Sequence, residues 1–326
     1  MRSVLGAASI LAFVSSAARK NLSQGFRTRW AAHSPHLLSM SASSLSSSLG
    51  DVLVDFDANL LHNALKDDIE EHISVANEKG IQHFVVPGSG LADSSEALLL
   101  SKSRGESIIA TAGVHPYHVI DESDVFTEAN QELLRSLCAQ ETCRAVGETG
   151  LDYSDGFPDK QAQIRWFRFQ VALALEAKLP LFLHVRDAKD DFVDIMTEMG
   201  FPGDGPPPVK ACVHCFTGST EELQQYVNMG FYIGLTGYIF GMKDDSTRSL
   251  KEWLEIIPQD RLVIETDCPY LGWPGCRVTE KKKKKSKFPN VPASLSIVAE
   301  EIASVSGKPY AEVASSTTEN ALEFFK

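Results

Sequence analysis

The chain has 326 residues, of which 43% are hydrophobic, and it carries a formal net charge of −12 at pH 7. This composition allows a sizeable core and one large α/β domain, and it excludes a generically basic nucleic-acid-binding protein. Six cysteines in a chain of this length exclude a small disulfide-stapled fold and indicate reduced, mostly buried thiols.

Residues 1–50 differ in composition from the rest of the chain. They contain five basic residues and no acidic one, with an apolar run from Val4 to Val14 that is followed by small residues. This run is too short to span a membrane comfortably, and the Ser-rich stretch after it is typical of a mitochondrial or plastid transit peptide. We therefore predict a disordered targeting extension over 1–50 and a single folded domain over 51–326. The alternatives are secretory entry, or an untargeted extension or a start at Met40 that would leave the protein in the cytoplasm or nucleus.

From residue 51 onward, apolar runs with the length of strands alternate with segments of helical spacing. The helical spacing is clearest along one face of the segments near 65–76, 164–179 and 250–257. Gly80 and Gly230 each precede a strand, as glycines that end helices do. In chain order the predicted strands are 52–56, 81–86, 108–114, 145–151, 179–185, 211–216, 231–237 and 262–267.

Eight strands alternating with helices predict a parallel α/β architecture, and this number favours a single-domain TIM-like (β/α)8 barrel. The alternative is a doubly wound open sheet, which is weakened because no glycine-rich nucleotide-binding fingerprint follows the first strand. A helix is expected near 293–305, and a helix that caps the barrel near 311–325. The long segment at 272–292 that precedes them is predicted to be functional or disordered, because structureless loops of this length are uncommon otherwise.

Acidic and imidazole side chains collect where the predicted strands end. After strands four, five, six and eight these are Glu148, His184, His214, Glu265 and Asp267. Because the carboxyl ends of parallel barrel strands share one rim, we expect these side chains to meet. Imidazoles and carboxylates together are typical ligands of divalent metals, and two such ions can stabilise both the attacking and the leaving oxygen of a displacement.

The predicted ligands are Glu148, His184, His214 and Asp267. Of these, Glu148 can bridge two ions, and Asp267 can orient or deprotonate the attacking water, so both are candidate catalytic residues.

Two cysteines flank His214 in a pattern like that of a zinc motif. Cys212 and Cys215 are three residues apart, however, and residues so spaced in a strand point to opposite faces. Both thiols therefore cannot bind one ion, and we expect them to pack in the core. Cys268, beside Asp267, is expected to pack there as well.

Six motifs are similar to those of the TatD family of metal-dependent deoxyribonucleases, in matching order and spacing over about 52–325. They read TAGVHPY (111–117), AVGETGLDY (145–153), LHVRDA (183–188), HCFTGS (214–219), YIGLTG (232–237) and ETDCPYL (265–271). The resemblance implies a TIM-like barrel that hydrolyses DNA phosphodiester bonds, 3′→5′ on single strands or frayed ends, with Mg²⁺ or a similar ion. It also implies metal positions at the four predicted ligands, and it adds His115 and Glu265 as site residues.

The chain departs from the family pattern after the first strand. Many relatives carry a His-x-His pair there, and Asp57 and Asn59 occupy those positions here. A branch of the family also lacks the pair, so the resemblance still implies activity. Because oxygen ligands suit Mg²⁺ or Mn²⁺ and imidazole suits zinc, we expect an exchangeable Mg²⁺ or Mn²⁺ site. Asp57 is then a further candidate ligand, and Asn59 a residue that orients other ligands.

Some residues near the predicted rim are candidate substrate contacts. Arg186, two residues after His184, is placed to hold the scissile phosphate, and Tyr153 and Tyr270 are candidates for base stacking. A lysine run on the loop after strand eight either guides phosphates toward an otherwise acidic enzyme or only solvates the loop. This run begins with Lys281, Lys282 and Lys283 and extends to Lys285.

Two other functions stay open. The first is a hydrolase of the larger metal-dependent hydrolase superfamily that acts on C–N or ester bonds. Such enzymes often carry a carbamylated lysine on a central strand. Here strand four has no lysine and ends in Glu148, which favours the phosphodiesterase. A non-catalytic nucleic-acid-binding relative is disfavoured because the four predicted ligands are all present. The expected partner is DNA with single-stranded or frayed 3′ ends, without stable membrane association. The sequence leaves the oligomeric state and the choice between DNA and RNA open.

Overall fold

The computed structural model describes residues 52–201, 206–244, 249–277 and 290–326. The predicted targeting extension and the lysine run therefore lie outside the described residues. Eight strands form one sheet in chain order, each parallel to its neighbour. The strands, β1 to β8, are Leu53–Asp55, Ile81–Val86, Ile108–Ala112, Cys143–Asp152, Leu181–Arg186, Ala211–Val213, Tyr232–Leu235 and Leu262–Ile264.

Contacts just past the ends of β1 and β8 close the sheet into a barrel. The backbone N–H of Phe56 donates to the carbonyl of Ile264 at 3.1 Å. One step further along, Ala58 forms a parallel bridge with Cys268. The predicted TIM-like (β/α)8 barrel is confirmed, and the alternative of an open sheet is excluded.

The strands are apolar on both faces because the barrel interior covers one face and helices cover the other. In β2, Val85 packs inside the barrel, whereas Phe84 and Val86 pack against the surrounding helices. This alternation follows from the two-residue period of a strand. An apolar run of this kind therefore codes for a strand that is buried on both sides.

Helices α1 to α9 surround the barrel in the described part of the chain. Gly80 and Gly230 have φ values of 87° and 81°, which confirms that they end the helices before β2 and β7. No described helix combines the length and the apolarity that crossing a membrane would require. The helices are Ile69–Asn77, Leu91–Arg104, Glu128–Cys138, Lys160–Ala177, Lys189–Glu198, Thr220–Asn228, Leu250–Ile256, Leu295–Ser306 and Tyr310–Phe324.

The predicted capping helix is confirmed as α9, whose C-terminal aromatic residues plug one end of the barrel. The rings of Phe324 and Phe325 lie 5.2 and 5.4 Å from the ring of Phe56. Phe56 stacks in turn on Phe182 at 5.6 Å, and Phe182 lies 4.7 Å from the ring of His214. The polar rim of the barrel is therefore packed against aromatic rings in the barrel interior, which exclude water from that side.

Candidate metal centre

The polar cluster occupies the rim formed by the carboxyl ends of the strands. His184 lies within β5 and pairs in regular register with Gly150 of β4, whereas Glu148 lies where the register of β4 shifts, and its backbone N–H donates to the carbonyl of Gly88 at 2.9 Å. His214 follows β6 directly, and Glu265 and Asp267 follow β8. The barrel thus brings together five predicted site residues that are up to 119 positions apart in the sequence.

Glu148 is the centre of this cluster. Its Oε1 atom lies 2.8 Å from Nε2 of His214, 3.2 Å from Nδ1 of His184 and 3.3 Å from Nε2 of His115. Burial alone would raise the pKa of Glu148, but the three imidazoles hold it well below its ordinary value. Glu148 is therefore an anion that three nitrogen atoms from three strand ends approach.

A second carboxylate orients His184. Its Nε2 atom lies 2.9 Å from Oδ2 of Asp152, and the other oxygen of Asp152 accepts hydrogen bonds from the backbone and hydroxyl of Ser154 at 2.9 and 2.5 Å. With Nε2 held by Asp152, the ring presents Nδ1 to Glu148. Sequence analysis left Asp152 out of the site, although its four-residue spacing from Glu148 on one strand places both on the same face.

Gly150 allows this arrangement. It lies between Glu148 and Asp152 on β4, with φ of 155°. A Cβ atom at this position would lie 1.7 Å from the backbone carbonyl oxygen of His184. No side chain fits there, so β4 can approach β5 closely enough for its two acids to bracket the imidazole.

His214 links Glu148 to a second group of possible ligands. Its Nδ1 atom lies 3.1 Å from Oδ2 of Asp57 and 3.6 Å from Oε1 of Glu265, and all three side chains are buried. Among the described residues, Oε2 of Glu265 has no hydrogen-bond partner, and Oδ2 of Asp57 and Nδ1 of His214 have none apart from each other. A buried unpaired polar atom is costly, and a divalent cation would satisfy these atoms.

Two groups of three side chains in the described residues could hold a metal ion, and together they fit a divalent cation. The first is His115, Glu148 and His184, and the second is Asp57, His214 and Glu265. The ligand atoms of each group lie within 4.8 Å of one another. Glu148 contacts members of both groups, as a carboxylate between two ions would.

Asp267 lies beside the second group, held by an amide and a thiol. The side-chain nitrogen of Asn59 donates to Oδ1 of Asp57 at 3.1 Å and to Oδ1 of Asp267 at 3.0 Å. Asp267 also forms a hydrogen bond with the thiol of Cys215, and burial raises its pKa to about 7. Asn59 therefore fixes the spacing of two carboxylates, which is the orienting role predicted for it.

The placement of Cys215 corrects the prediction that both cysteines around His214 pack in the core. Cys212 lies in the barrel interior, as expected. Strand β6, however, ends at Val213, and Cys215 takes a φ of 45°. The alternation of a strand no longer applies there, so the thiol of Cys215 turns to Asp267 instead of the core. Cys268 is buried, as predicted.

A threonine between Glu265 and Asp267 holds the two acids in place. The backbone N–H and the hydroxyl of Thr266 donate to the two oxygens of Asp55, both at 2.7 Å. The side-chain amide of Asn290 donates to the carbonyl of Thr266 at 2.8 Å. These contacts fix the chain just after β8. Sequence analysis identified neither Asp55 nor Asn290 as part of the site.

His115 differs from the other imidazoles because its Nδ1 atom is an acceptor. The backbone N–H of Tyr117 donates to Nδ1 of His115 at 3.0 Å. Burial lowers the pKa of His115 to about 3, so the ring is neutral and its one proton is on Nε2. His115 therefore points an N–H group, rather than a lone pair, at Glu148, so it is not counted among the proposed metal ligands although it belongs to the first group by distance.

The candidate substrate contacts lie around this cluster. Arg186 is exposed at the end of β5. The hydroxyl of Tyr153 donates to Asp191 at 2.7 Å, and Nζ of Lys160 lies 3.9 Å above its ring, so one face of that ring is covered. Tyr270 is 43% exposed, and its ring meets the ring of His62 at 5.3 Å. The structure does not describe Lys281, Lys282 and Lys283.

Comparisons with known proteins indicate the family of the chain. The family described as TatD related DNase matches residues 54–326. The "3'-5' ssDNA/RNA exonuclease TatD" of Erwinia tasmaniensis strain DSM 17950 is 32% identical over 274 residues, which cover 84% of this chain and 99% of that protein. The "Uncharacterized metal-dependent hydrolase YabD" of Bacillus subtilis strain 168 is 34% identical over 275 residues, with the same coverage of both chains.

A solved structure supports the same relationship. The crystal structure of a TatD family hydrolase from Entamoeba histolytica superposes with a TM-score of 0.68 at 27% sequence identity. The match covers 84% of this chain and 98% of that chain. The similarity therefore extends over the whole barrel and not over a single motif.

Proposed function

Because the chain belongs to the TatD related DNase family of metal-dependent hydrolases, we propose that it is a 3′→5′ exonuclease acting on single-stranded or frayed ends of DNA. The observation that carries this proposal is the approach of three imidazoles to one buried carboxylate oxygen of Glu148, beside a buried oxygen of Glu265 that has no hydrogen-bond partner. Such a set of ligand atoms suits an enzyme that binds divalent ions.

The ligand chemistry favours Mg²⁺ or Mn²⁺. His184, His214 and Glu148 would hold the ions, with Asp57, Glu265 and Asp267 supplying further oxygen atoms. A bound divalent ion would act as a Lewis acid toward a phosphate oxygen and would lower the pKa of water. Carboxylates outnumber imidazoles in this set, which is typical of a site for Mg²⁺ or Mn²⁺ rather than for structural zinc. A content of one zinc ion per chain after gentle purification would contradict this assignment.

Asp267 is the proposed proton acceptor. Burial raises its pKa to about 7, so near neutral pH it can take a proton from water and release it again. Asn59 donates to Oδ1 of Asp267 at 3.0 Å, which fixes the orientation of this carboxylate. Transfer of a proton from water to this carboxylate would produce the nucleophile. Its oxygen would bond to phosphorus as the bond from phosphorus to the leaving ester oxygen breaks, and the protonated Asp267 can return its proton to that leaving oxygen.

His115 is proposed to stabilise the phosphate. Its Nε2–H group lies 3.3 Å from Glu148, at the more exposed edge of the cluster. An N–H at this position can donate to a non-bridging oxygen of the phosphodiester as negative charge develops there. Arg186, exposed at the end of β5, is a second candidate for contact with the phosphate.

A single assay tests this function. Single-stranded DNA with a label at its 5′ end is incubated with the protein in Mg²⁺, in EDTA, and with the variant Asp267→Asn. We expect stepwise shortening in Mg²⁺ only, and a loss of about 10²- to 10⁴-fold in rate for the variant, the range typical of a general base. Asp260→Asn, an exposed acid just before β8, is the matched control and should retain full activity.

The remaining arms of the assay address polarity and substrate. Blocking the 3′ end should abolish shortening, and RNA of the same sequence reports the preference between DNA and RNA. The nuclease proposal would be abandoned if no shortening depended on both metal and Asp267.

A further inference from the structure

Aromatic rings lead from the buried cluster to the surface. The ring of His115 lies 4.5 Å from that of His184 and 6.2 Å from that of Phe157. Phe157 then meets Tyr117 at 5.5 Å and an interplanar angle of 78°. Tyr117 is 54% exposed, so the row that starts at a proposed ligand ends in an open aromatic ring.

Tyr117 and Tyr270 are both exposed, on the loops that follow His115 and Asp267. In the described part of the chain, they are the two aromatic members among the large hydrophobic side chains that are exposed. Burial and, to a smaller extent, the nearby charges of Asp267, Glu148 and Asp57 raise the pKa of Tyr270 to about 12, so its phenol is neutral.

The loop that carries Tyr117 is fixed to the barrel, which keeps the ring in position. The side chain of Asp124 accepts from the backbone N–H of Leu91, the first residue of α2, at 2.6 Å. The backbone carbonyl of Asp124 accepts from Nε1 of Trp166 at 2.8 Å. Together with the hydrogen bond from Tyr117 to His115, these contacts preorganise the ring, so that little entropy is lost when a ligand packs on it.

Because the protein is acidic, contacts that do not depend on charge are expected to contribute to its affinity for nucleic acid. The chain has a net charge of −12, and the cluster itself is rich in carboxylates. Electrostatic attraction to a phosphate backbone is therefore limited to the bound cations and a few basic residues. Stacking of a base on an aromatic ring does not depend on charge, and it changes affinity by about tenfold for each base.

We propose that Tyr117 is the platform on which the unpaired base adjacent to the scissile phosphate stacks. The inference rests on the proposed nuclease function and refines it. A base inside a duplex has both faces covered by its neighbours, whereas a base at a single-stranded or frayed end has a free face. Tyr117 thereby selects for unpaired ends.

The test compares an intact single-stranded oligonucleotide with one whose 3′-terminal residues are abasic, for the wild type and for Tyr117→Leu. Loss of the ring should lower kcat/KM about tenfold on the intact strand and leave the abasic strand nearly unaffected. Tyr117→Phe, which keeps the ring, should restore the discrimination. Ile120→Ala, which removes an apolar side chain that is 61% exposed on the same loop, is the matched control.

The outcomes separate this inference from the function on which it rests. An equal loss on both strands, or none on either, would overturn the stacking role, because a merely structural tyrosine does not distinguish the strands. If the wild type cleaves neither strand, the proposed function fails. Stacking is then judged without turnover from the fluorescence of 2-aminopurine in the oligonucleotide. Quenching by the wild type but not by Tyr117→Leu would support the platform, and equal quenching would overturn it.

Discussion

The negative charge of Glu148 and its neighbouring carboxylates can be offset either by protons on the histidines or by a bound cation. Burial alone would lower the pKa of both His184 and His214, but the surrounding carboxylates raise it, led by Asp152 for His184 and by Glu148 for His214. A proton on either ring thus offsets the negative charge of Glu148, as a divalent cation would. Protons and cations therefore compete for the same buried atoms.

This competition predicts how metal binding depends on pH. Asp267 has a pKa of about 7, and the pKa values of His184 and His214 lie above the ordinary value. Below these values the groups are protonated, so a cation must displace protons and binds more weakly. Affinity for Mn²⁺, measured by calorimetry, should rise with pH through about 7, by up to about tenfold per unit for each proton displaced. A flat profile between pH 6 and 8 would contradict this competition.

Asp152 yields a second prediction for a single residue. The variant Asp152→Asn removes the anion that holds Nε2 of His184 and frees the ring to change its orientation. We expect metal affinity to fall about 10- to 100-fold, with most of the activity recovered at saturating metal. Asp155→Asn, an exposed acid three residues later, should leave metal affinity unchanged. Equal metal affinity in the two variants would show that Asp152 does not orient the ligand.

The residues proposed to bind metal and the residues that stabilise the barrel lie at opposite ends of it. Strands β4 and β5 carry Glu148 and His184 at one end of the barrel, and α9 seals the other end with Phe324 and Phe325. Arg144, near the start of β4, donates to the backbone carbonyl of Phe325 at 3.1 Å, which fixes the end of the chain beneath the sheet. Changes at the α9 end should therefore affect folding without altering the ligands.

Truncation of Phe324 tests this division. Its ring is fully buried and lies 5.2 Å from the ring of Phe56 and 5.3 Å from that of Tyr232. Phe324→Ala should lower the free energy of unfolding by about 3–5 kcal/mol, measured by urea denaturation. The folded variant should bind metal as the wild type does.

The control for this change lies on the same helix. Glu312→Ala removes a surface ion pair with Lys308 and should cost no more than about 1 kcal/mol. If Phe324→Ala were no more destabilising than this control, the aromatic plug would not stabilise the barrel.

At the scale of the whole molecule, charge is distributed unevenly. The first 50 residues are basic, so the remainder is more acidic than the net charge of −12 suggests. The five lysines at 281–285 are the densest basic stretch in that remainder. We propose that they draw the phosphate backbone toward the rim, because they follow β8 and precede Asn290, which is hydrogen-bonded to Thr266 and Tyr270.

Replacing these five lysines with serine tests this role. The KM for single-stranded DNA should rise, and its dependence on salt concentration should flatten, because fewer counterions are released from the strand. Replacement with arginine keeps the charge and is the matched control. Unchanged KM and salt dependence in the serine variant, with intact turnover of short substrates, would leave the run with a solvating role only.

The extension predicted over 1–50 calls for a different kind of proposal. Its lack of acidic residues and its richness in serine support transport into an organelle. Fusing this segment to a fluorescent protein and following its location in cells distinguishes an organelle from the cytoplasm and from secretion.

Local pattern was sufficient to predict the barrel and the approximate positions of its strands. The apolar runs of β2 and of the segments before Glu148 and His214 are properties of short stretches, so they can be read without a structure. The motifs also supplied Asp57 and Asn59 as replacements for a histidine pair. The structure brings both residues to the cluster, where Asn59 bridges Asp57 and Asp267.

Closure of the barrel decided what local pattern could not. It brings Asp57 to 3.1 Å from His214, although the two are 157 positions apart, and it determines that His184 presents Nδ1 while Asp152 holds Nε2. It also turns Cys215 to Asp267, because the strand ends before the thiol. Sequence thus determined which side chains reach the rim, since hydrophobic periodicity is local. Only the tertiary structure decided which atoms face one another, because those distances depend on how distant strands pack.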